Sequence, residues 1–181
     1  MKKSILILAA HPDDAILTMG ATMRKFILEG VEVNVFAFGN GDEAYTEPGG
    51  SADAIKNYRC RVEKAFSIVG AGLECMWEPD FASLKTDRHY RLCIEAIRKY
   101  RPDIIFSHYW AEYFQHQDMA TVSRDAWNQA RWCCSADLGA PWKAPKLYHF
   151  EGRDQLPAVT HYVDVSDTAE HMDEAWHVMH L

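Results

Sequence analysis

The sequence predicts an α/β domain, a Rossmann-like three-layer αβα sandwich built on a mostly parallel sheet. Three observations carry that expectation. Short apolar runs suited to buried strands alternate with segments of helical periodicity along the whole chain. The first run, Ile5-Leu6-Ile7-Leu8-Ala9-Ala10, is wholly apolar, as a central parallel strand covered on both faces requires. Two of the runs end in clusters of His, Asp and Glu, and in such sheets ligands sit beyond the carboxyl ends of the strands.

The elements follow in order. Residues 15–29 place Ile16, Met19, Met23, Phe26 and Ile27 on one helical face, and Gly30 ends that helix. Val31 to Phe38 reads as the second strand, followed by a turn or loop at Gly39-Asn40-Gly41-Asp42. Residues 43–52, with Pro48-Gly49-Gly50, read as a mobile surface loop. Ala54 to Val69 is helical by spacing and stops at Gly70. Leu73 to Trp77 is a third strand and Asp87 to Tyr100 a third helix. Arg101-Pro102-Asp103 then introduces a fourth strand, Ile104-Ile105-Phe106-Ser107-His108. Asp118 to Trp132 is helical, Lys146 to Phe150 a fifth strand, Tyr162 to Val165 a sixth, and Thr168 onward a closing helix.

The bulk properties narrow the function classes. A chain of 181 residues with no repeat, low-complexity tract or linker fits one domain, 1–181. The net charge of -7 argues against non-specific binding to nucleic acid or to an anionic membrane, though a pocket can still oppose that sign. Five cysteines, an odd number with no Cys-x-x-Cys pair, point to a reduced, cytoplasmic chain with buried thiols. Lys2-Lys3 before an apolar run superficially mimics a signal peptide, but the run is short and His11-Pro12-Asp13-Asp14 follows directly. No stretch approaches the roughly 20 apolar residues that span a bilayer.

His11-x-Asp13-Asp14 is the first candidate site. Two adjacent carboxylates and an imidazole at a strand end repel and desolvate one another without a compensating cation. A divalent metal supplies it, and His nitrogen and Asp oxygen are normal ligands for Zn²⁺. On an extended turn neighbouring side chains diverge, so one Asp suits the metal and the other suits a general base acting on water. The bland reading, that one Asp only caps the next helix, is outweighed by the His two residues upstream. The second candidate is His108-Tyr109-Trp110-Ala111-Glu112-Tyr113-Phe114-Gln115-His116-Gln117-Asp118-Met119. Histidines, acids and aromatics after a buried strand suit a pocket lining, with aromatic core packing as the competing view. His108 is evenly balanced between the two, whereas His116 favours a site.

These motifs resemble the PIG-L/LmbE-like family of zinc-dependent N-deacetylases. The resemblance rests on Ala10-His11-Pro12-Asp13-Asp14 with Gly20-Ala21-Thr22, and on Arg101-Pro102-Asp103-Ile104-Ile105-Phe106 leading to His116-Gln117-Asp118 and Ser123-Arg124. It extends to Pro157–Thr168 and so covers most of the chain. It implies hydrolysis of an N-acyl group, usually acetyl, from an amino sugar or its conjugate. It implies Zn²⁺ (or another divalent metal) held by His11 and Asp14, with Asp13 as general base. The family's second motif, His-x-Asp-His, puts its first histidine at His116, assisting the oxyanion or protonating the leaving amine. Its second histidine, the third metal ligand, falls on Met119, and a thioether replaces imidazole poorly on Zn²⁺. Either another residue completes the site, His116 itself or His108 being the best placed, or metal binds weakly through His11, Asp14 and water, or catalysis is lost. Ala15 stands where many members carry Glu, outside the implied ligand set.

Three residues are candidate substrate contacts. Trp110 and Tyr113 offer faces for a sugar ring, and Arg59 follows the mobile loop, although an i,i+4 surface pair with Glu63 is its stronger reading. Cys133-Cys134 has no ligand pattern around it and reads as structural. The expected partner is a small amino-sugar substrate, and the resemblance makes a homo-oligomer reasonable. The rival to the enzyme is a non-catalytic member that binds an amino-sugar ligand, motivated by Met119. A nucleotide- or flavin-binding protein is disfavoured because no glycine-rich phosphate loop follows the first strand. Relatives commonly continue past the closing helix, which suggests a shortened or compact member.

Overall fold

The computed structural model describes residues 3–41 and 52–180. The loop expected at 43–52 lies, up to residue 51, outside them. Strands β1 (Ser4–Ala9), β2 (Glu32–Gly39), β3 (Gly72–Glu78), β4 (Ile104–Ser107) and β5 (Lys146–His149) form one sheet in the order β3-β2-β1-β4-β5, every pair parallel. The helices are α1 (Pro12–Leu28), α2 (Ala52–Val69), α3 (Asp87–Tyr100), α4 (Phe114–Ala130) and α5 (Ala169–His180).

The uniform apolarity of β1 has its explanation in two cores. Ile5, Ile7 and Ala9 share one with Ile16 and Met23 of α1, Val62 and Phe66 of α2, and Ala175 and Met179 of α5. Leu6, Leu8 and Ala10 share the other with Cys93, Ile94 and Ile97 of α3 and Met119, Val122 and Ala126 of α4. The period-2 alternation of a strand feeds both layers, and each large side chain so buried contributes about 1.5–3 kcal/mol.

Chain order positions the site. From β1 the chain steps outward to β2 and β3, then returns through α3 to β4 on the opposite side of β1. The crevice between the ends of β1 and β4 is therefore the topological switch point, where helices on opposite faces diverge and leave room for a ligand. Register keeps those ends level: Leu8 pairs with Ser107, and just beyond, the Ala10 N–H donates to His108 Nε2 at 3.1 Å.

Three expectations need correction. Tyr162–Val165 is not a strand: Asp164 accepts from the Ser166 N–H and hydroxyl, forming a local turn that leads toward α5, and Tyr162 is exposed. Helix α4 begins at Phe114 rather than Asp118, so His116 sits inside its first turn. Asp118 instead holds the preceding β3–α3 loop, accepting from the N–H groups of Leu84 and Lys85 and the Ser83 hydroxyl. The thiols are also less buried than expected. Cys93 is buried and Cys75 half-buried, but Cys60, Cys133 and Cys134 are exposed, and all five are free. Among the described residues no helix is long and apolar enough to cross a membrane.

One ion network gives the fold a pH-dependent element. The Glu78 carboxylate, at the end of β3, takes Arg88 on one oxygen and His89 Nε2 at 2.7 Å on the other. Burial alone raises its pKa, but the hydrogen bonds from Arg88 and His89 hold it below the ordinary value. A depressed folded pKa contributes stability above the unfolded pKa of about 4.3 that is lost as pH falls through the folded value. Glu78→Gln is therefore expected to cost about 1 kcal/mol at pH 7 after solvent screening. The gap to the parent should close in acid; a gap that widens in urea melts at low pH contradicts the assignment.

Candidate metal centre

The site begins with the start of α1. His11 is extended at the N-cap (φ -127, ψ 156), and Pro12 occupies the first helical position, where no N–H is needed. Asp14, two residues further, accepts the His11 N–H at 2.9 Å, so its carboxylate does cap the helix. It also faces histidines: Oδ2 lies 3.2 Å from His11 Nδ1, and Oδ1 lies 3.1 Å from His116 Nε2. Capping and site chemistry share one carboxylate.

The second half comes from the turn after β4 and from α4. His108 and Glu112 are fully buried, Gln115 and His116 nearly so. His116 Nδ1 meets Glu112 Oε2 at 2.5 Å. His11 Nε2 meets Gln115 Oε1 at 2.8 Å, and Gln115 Nε2 donates to the Ala82 carbonyl at 2.8 Å. Asp80 Oδ1 stands 3.7 Å from His11 Nε2. Backbone closeness is part of the construction. A Cβ on Gly39 would fall 2.2 Å from His11 Cδ2, and one on Gly152 would fall 2.3 Å from Glu112 Oε1.

The charges are strongly interdependent. Burial disfavours the charged form of His11, yet Asp14, Asp13 and Asp80 raise its pKa to about 10. His116 is raised to about 9 against the same penalty by Asp14 and Glu112. Burial would push Asp14 up, but His108, His11 and His116 hold it well below the carboxylate range. Asp13 is pushed up to about 6 by burial and by the charge of Asp14. Glu112 falls to about 2, because the imidazoles of His108 and His116 overcome its burial. The histidines thus hold protons that a bound cation would replace.

The donor set fits a divalent metal. One atom each from His11, Asp14 and His116 lie within 4.8 Å of one another. Ligands about 2.0–2.2 Å from a tetrahedral ion stand roughly 3.3 Å apart, close to the 3.1 and 3.2 Å that separate Asp14 from the two imidazole nitrogens. In each histidine the other ring nitrogen is already engaged, by Gln115 or Glu112.

The residues singled out in the sequence fare unequally. His11, Asp13, Asp14 and His116 come together. Met119 does not join them; it is fully buried in the core with Leu6, Leu8 and Val122, because its place on α4 turns it toward the sheet. Tyr113 packs its ring on His116 at 4.5 Å between centroids, with the Arg153 guanidinium 5.3 Å over it. Trp110 is 64% exposed and lies beside Tyr109 with the ring planes tilted by 51°. Arg59 is not brought to the cluster: it pairs with Glu63 at 3.2 Å and lies over Trp77, the surface arrangement its spacing favoured. Sequence reasoning assigned no role to Glu112, Gln115 or Asp80. The i,i+4 spacing of Glu112 and His116 was a usable signal for the first, whereas Asp80 arrives from the β3–α3 loop with no motif at all.

Comparison with known proteins identifies the family and the fold. A family model described as PIG-L, GlcNAc-PI de-N-acetylase, matches residues 6–129. A 1D-myo-inositol 2-acetamido-2-deoxy-alpha-D-glucopyranoside deacetylase of Rhodococcus erythropolis is 23% identical over 176 residues, 81% of this chain and 60% of the relative. The chain thus spans about 60% of the length of that curated relative. The N,N'-diacetylchitobiose deacetylase of Pyrococcus horikoshii superposes with a TM-score of 0.84 at 19% identity, covering 98% of this chain and 69% of that one. GalB, the 4-carboxy-2-hydroxymuconate hydratase of Pseudomonas putida, superposes with a TM-score of 0.79 at 18% identity, covering 98% and 82%. At such identities the superpositions establish the fold, and the hydratase shows that this fold hosts more than one reaction. With the family model covering both halves of the crevice, from β1 through α4, this chain belongs to the PIG-L family.

Proposed function

We propose that this chain is a zinc-dependent N-deacetylase that hydrolyses the N-acetyl group of an amino sugar or amino-sugar conjugate. The observation that carries the reading is the convergence of His11 and His116 on Asp14, with Asp13 beside them and each histidine's outer nitrogen engaged. His11, Asp14 and His116 would hold the ion. When bound, zinc supplies Lewis acidity, polarising the acyl carbonyl and making water a stronger acid. Asp13 takes the proton of the attacking water and returns it to the departing amine. Tyr113, whose ring packs against His116, would offer a neutral hydroxyl to the oxyanion. Counted back from His116 as the metal-binding histidine, the His-x-Asp-His pattern falls on Tyr113, Phe114, Gln115 and His116. The exposed, free thiols of Cys60, Cys133 and Cys134 support a reducing, cytoplasmic setting.

The test is elemental analysis of the purified protein together with acetate release from a panel of N-acetylglucosaminyl glycosides. About one zinc per chain is expected, with turnover lost on chelation and restored by zinc. A zinc-loaded protein that releases no acetate from any member overturns the proposal. Met119→His tests whether that position is a lesion. Because Met119 lies in the apolar core, the imidazole is expected to cost about 1–3 kcal/mol as a buried polar group and to leave zinc affinity unchanged. A gain in zinc affinity would instead make Met119 the missing ligand.

A further inference from the structure

We propose that Gln115 and Glu112 are positioning residues that fix His11 and His116 in opposite tautomers, so that His11 offers Nδ1 and His116 offers Nε2 to the metal. The inference rests on the metal-centre reading above. A neutral imidazole has one lone-pair nitrogen and one N–H, and the N–H of a ligating histidine needs an acceptor.

Gln115, 3% exposed, has its orientation set by a neighbour. Its amide N–H donates to the Ala82 carbonyl, which leaves Oε1 facing His11 Nε2; the reverse orientation would press Oε1 against that carbonyl. An acceptor at Nε2 keeps a proton there, so the proton that His11 would give up to a cation is the one on Nδ1, beside Asp14 Oδ2. Glu112 acts on the other ring. An ionised carboxylate only accepts, so His116 keeps its proton on Nδ1, and Nε2, beside Asp14 Oδ1, is the nitrogen that would give its proton up to a cation. Glu112 is itself confined, with His108 Nδ1 3.4 Å from Oε2 and Gly152 against Oε1. One helix start therefore sets the aim of both rings.

A second cation between His108, Glu112 and His116 is the rival explanation of that buried group, since their donor atoms also lie within 4.8 Å of one another. The hydrogen bonding disfavours it. His108 Nε2 accepts the Ala10 N–H, which puts the neutral ring's proton on Nδ1, beside Glu112 Oε2, and leaves that nitrogen no lone pair for a cation.

The experiment uses the whole chain loaded with zinc. Long-range ¹H–¹⁵N spectra of histidine-labelled protein report which ring nitrogen carries the proton and which the metal. Nε2–H is expected for His11 and Nδ1–H for His116; the same tautomer in both overturns the proposal without any substitution. Zinc affinity is then measured by competition with a chromophoric chelator. Gln115→Leu and Glu112→Leu are each expected to weaken zinc about 10–100-fold. Glu112→Gln, which keeps an acceptor but not the charge, is expected to lose less. A role limited to packing would change melting temperature and leave tautomers and zinc affinity alone. Parental affinity in both leucine variants overturns the proposal alone. An unmodified protein that binds no zinc overturns the metal-centre reading and this inference with it.

Discussion

Asp13→Asn is expected to lower turnover of an N-acetyl amino sugar by about 10²–10⁴-fold, the usual contribution of a positioned general base, with zinc content unchanged. Asp13 and Asp14 are neighbours, but only Asp14 presents its oxygens to His11 and His116. Asp13 is half-buried, and burial together with the Asp14 charge raises its pKa to about 6. That makes it a better proton acceptor than an ordinary carboxylate. The amide keeps the shape and loses that basicity, so kcat should collapse while the metal remains. The metal-free variant is also expected to be more stable at pH 7. A folded pKa above the unfolded value contributes stability at low pH that is lost as pH rises through about 6, and asparagine escapes that loss. Parental turnover, or zinc loss as complete as in Asp14→Asn, would remove Asp13 from the role.

Arg98→Ala is expected to destabilise the protein by about 3–5 kcal/mol, the scale for disrupting a buried charged network. For a chain of this length that lowers the melting temperature by roughly 10 °C. Arg98 is only 4% exposed. Its Nε donates to the Ala130 carbonyl at the end of α4, and its two terminal nitrogens donate to the carbonyls of Trp132, Cys134, Ser135 and Gly139. These acceptors belong to the end of α4, to the segment that leaves it, and to the two residues that cap the short helical turn Ala136–Leu138. Without the guanidinium the enclosed carbonyls lose their donors, each a hydrogen bond to charge worth about 1.5–3 kcal/mol, though not additively. Arg98→Lys keeps the charge but not the planar fork and should recover less than half of the loss. A cost below about 1 kcal/mol in urea melts would mean that this segment is held by other contacts.

Both predictions expose the difference between local and non-local information. Asp13 is legible as a candidate base because its signal lies within four consecutive residues at the end of an apolar strand. Arg98 carries no such local signal, because nothing nearby in the chain announces that residues 130–139 fold back over it. Glu112 and Gln115 show the intermediate case. They lie inside the stretch that pointed to a pocket, but their partners, Ala82 and His11, are distant in sequence. Met119 shows how a position counted along a motif depends on helix register. A helix that begins at Phe114 rotates Met119 into the core and His116 into the site, and a single turn of register decides which is available as a ligand.

The sequence by itself determined the alternating α/β architecture and the buried first strand, and it marked His11, Asp13, Asp14 and His116 as candidates. Those features follow from side-chain periodicity and from charge density that only a cation or a pocket accommodates. The tertiary structure decided the remainder: five parallel strands rather than six, the switch point between β1 and β4, the exclusion of Met119 and Arg59, and the acceptors behind each histidine. Each of these depends on which distant segments pack together, and packing is settled by the whole chain's burial rather than by any local pattern.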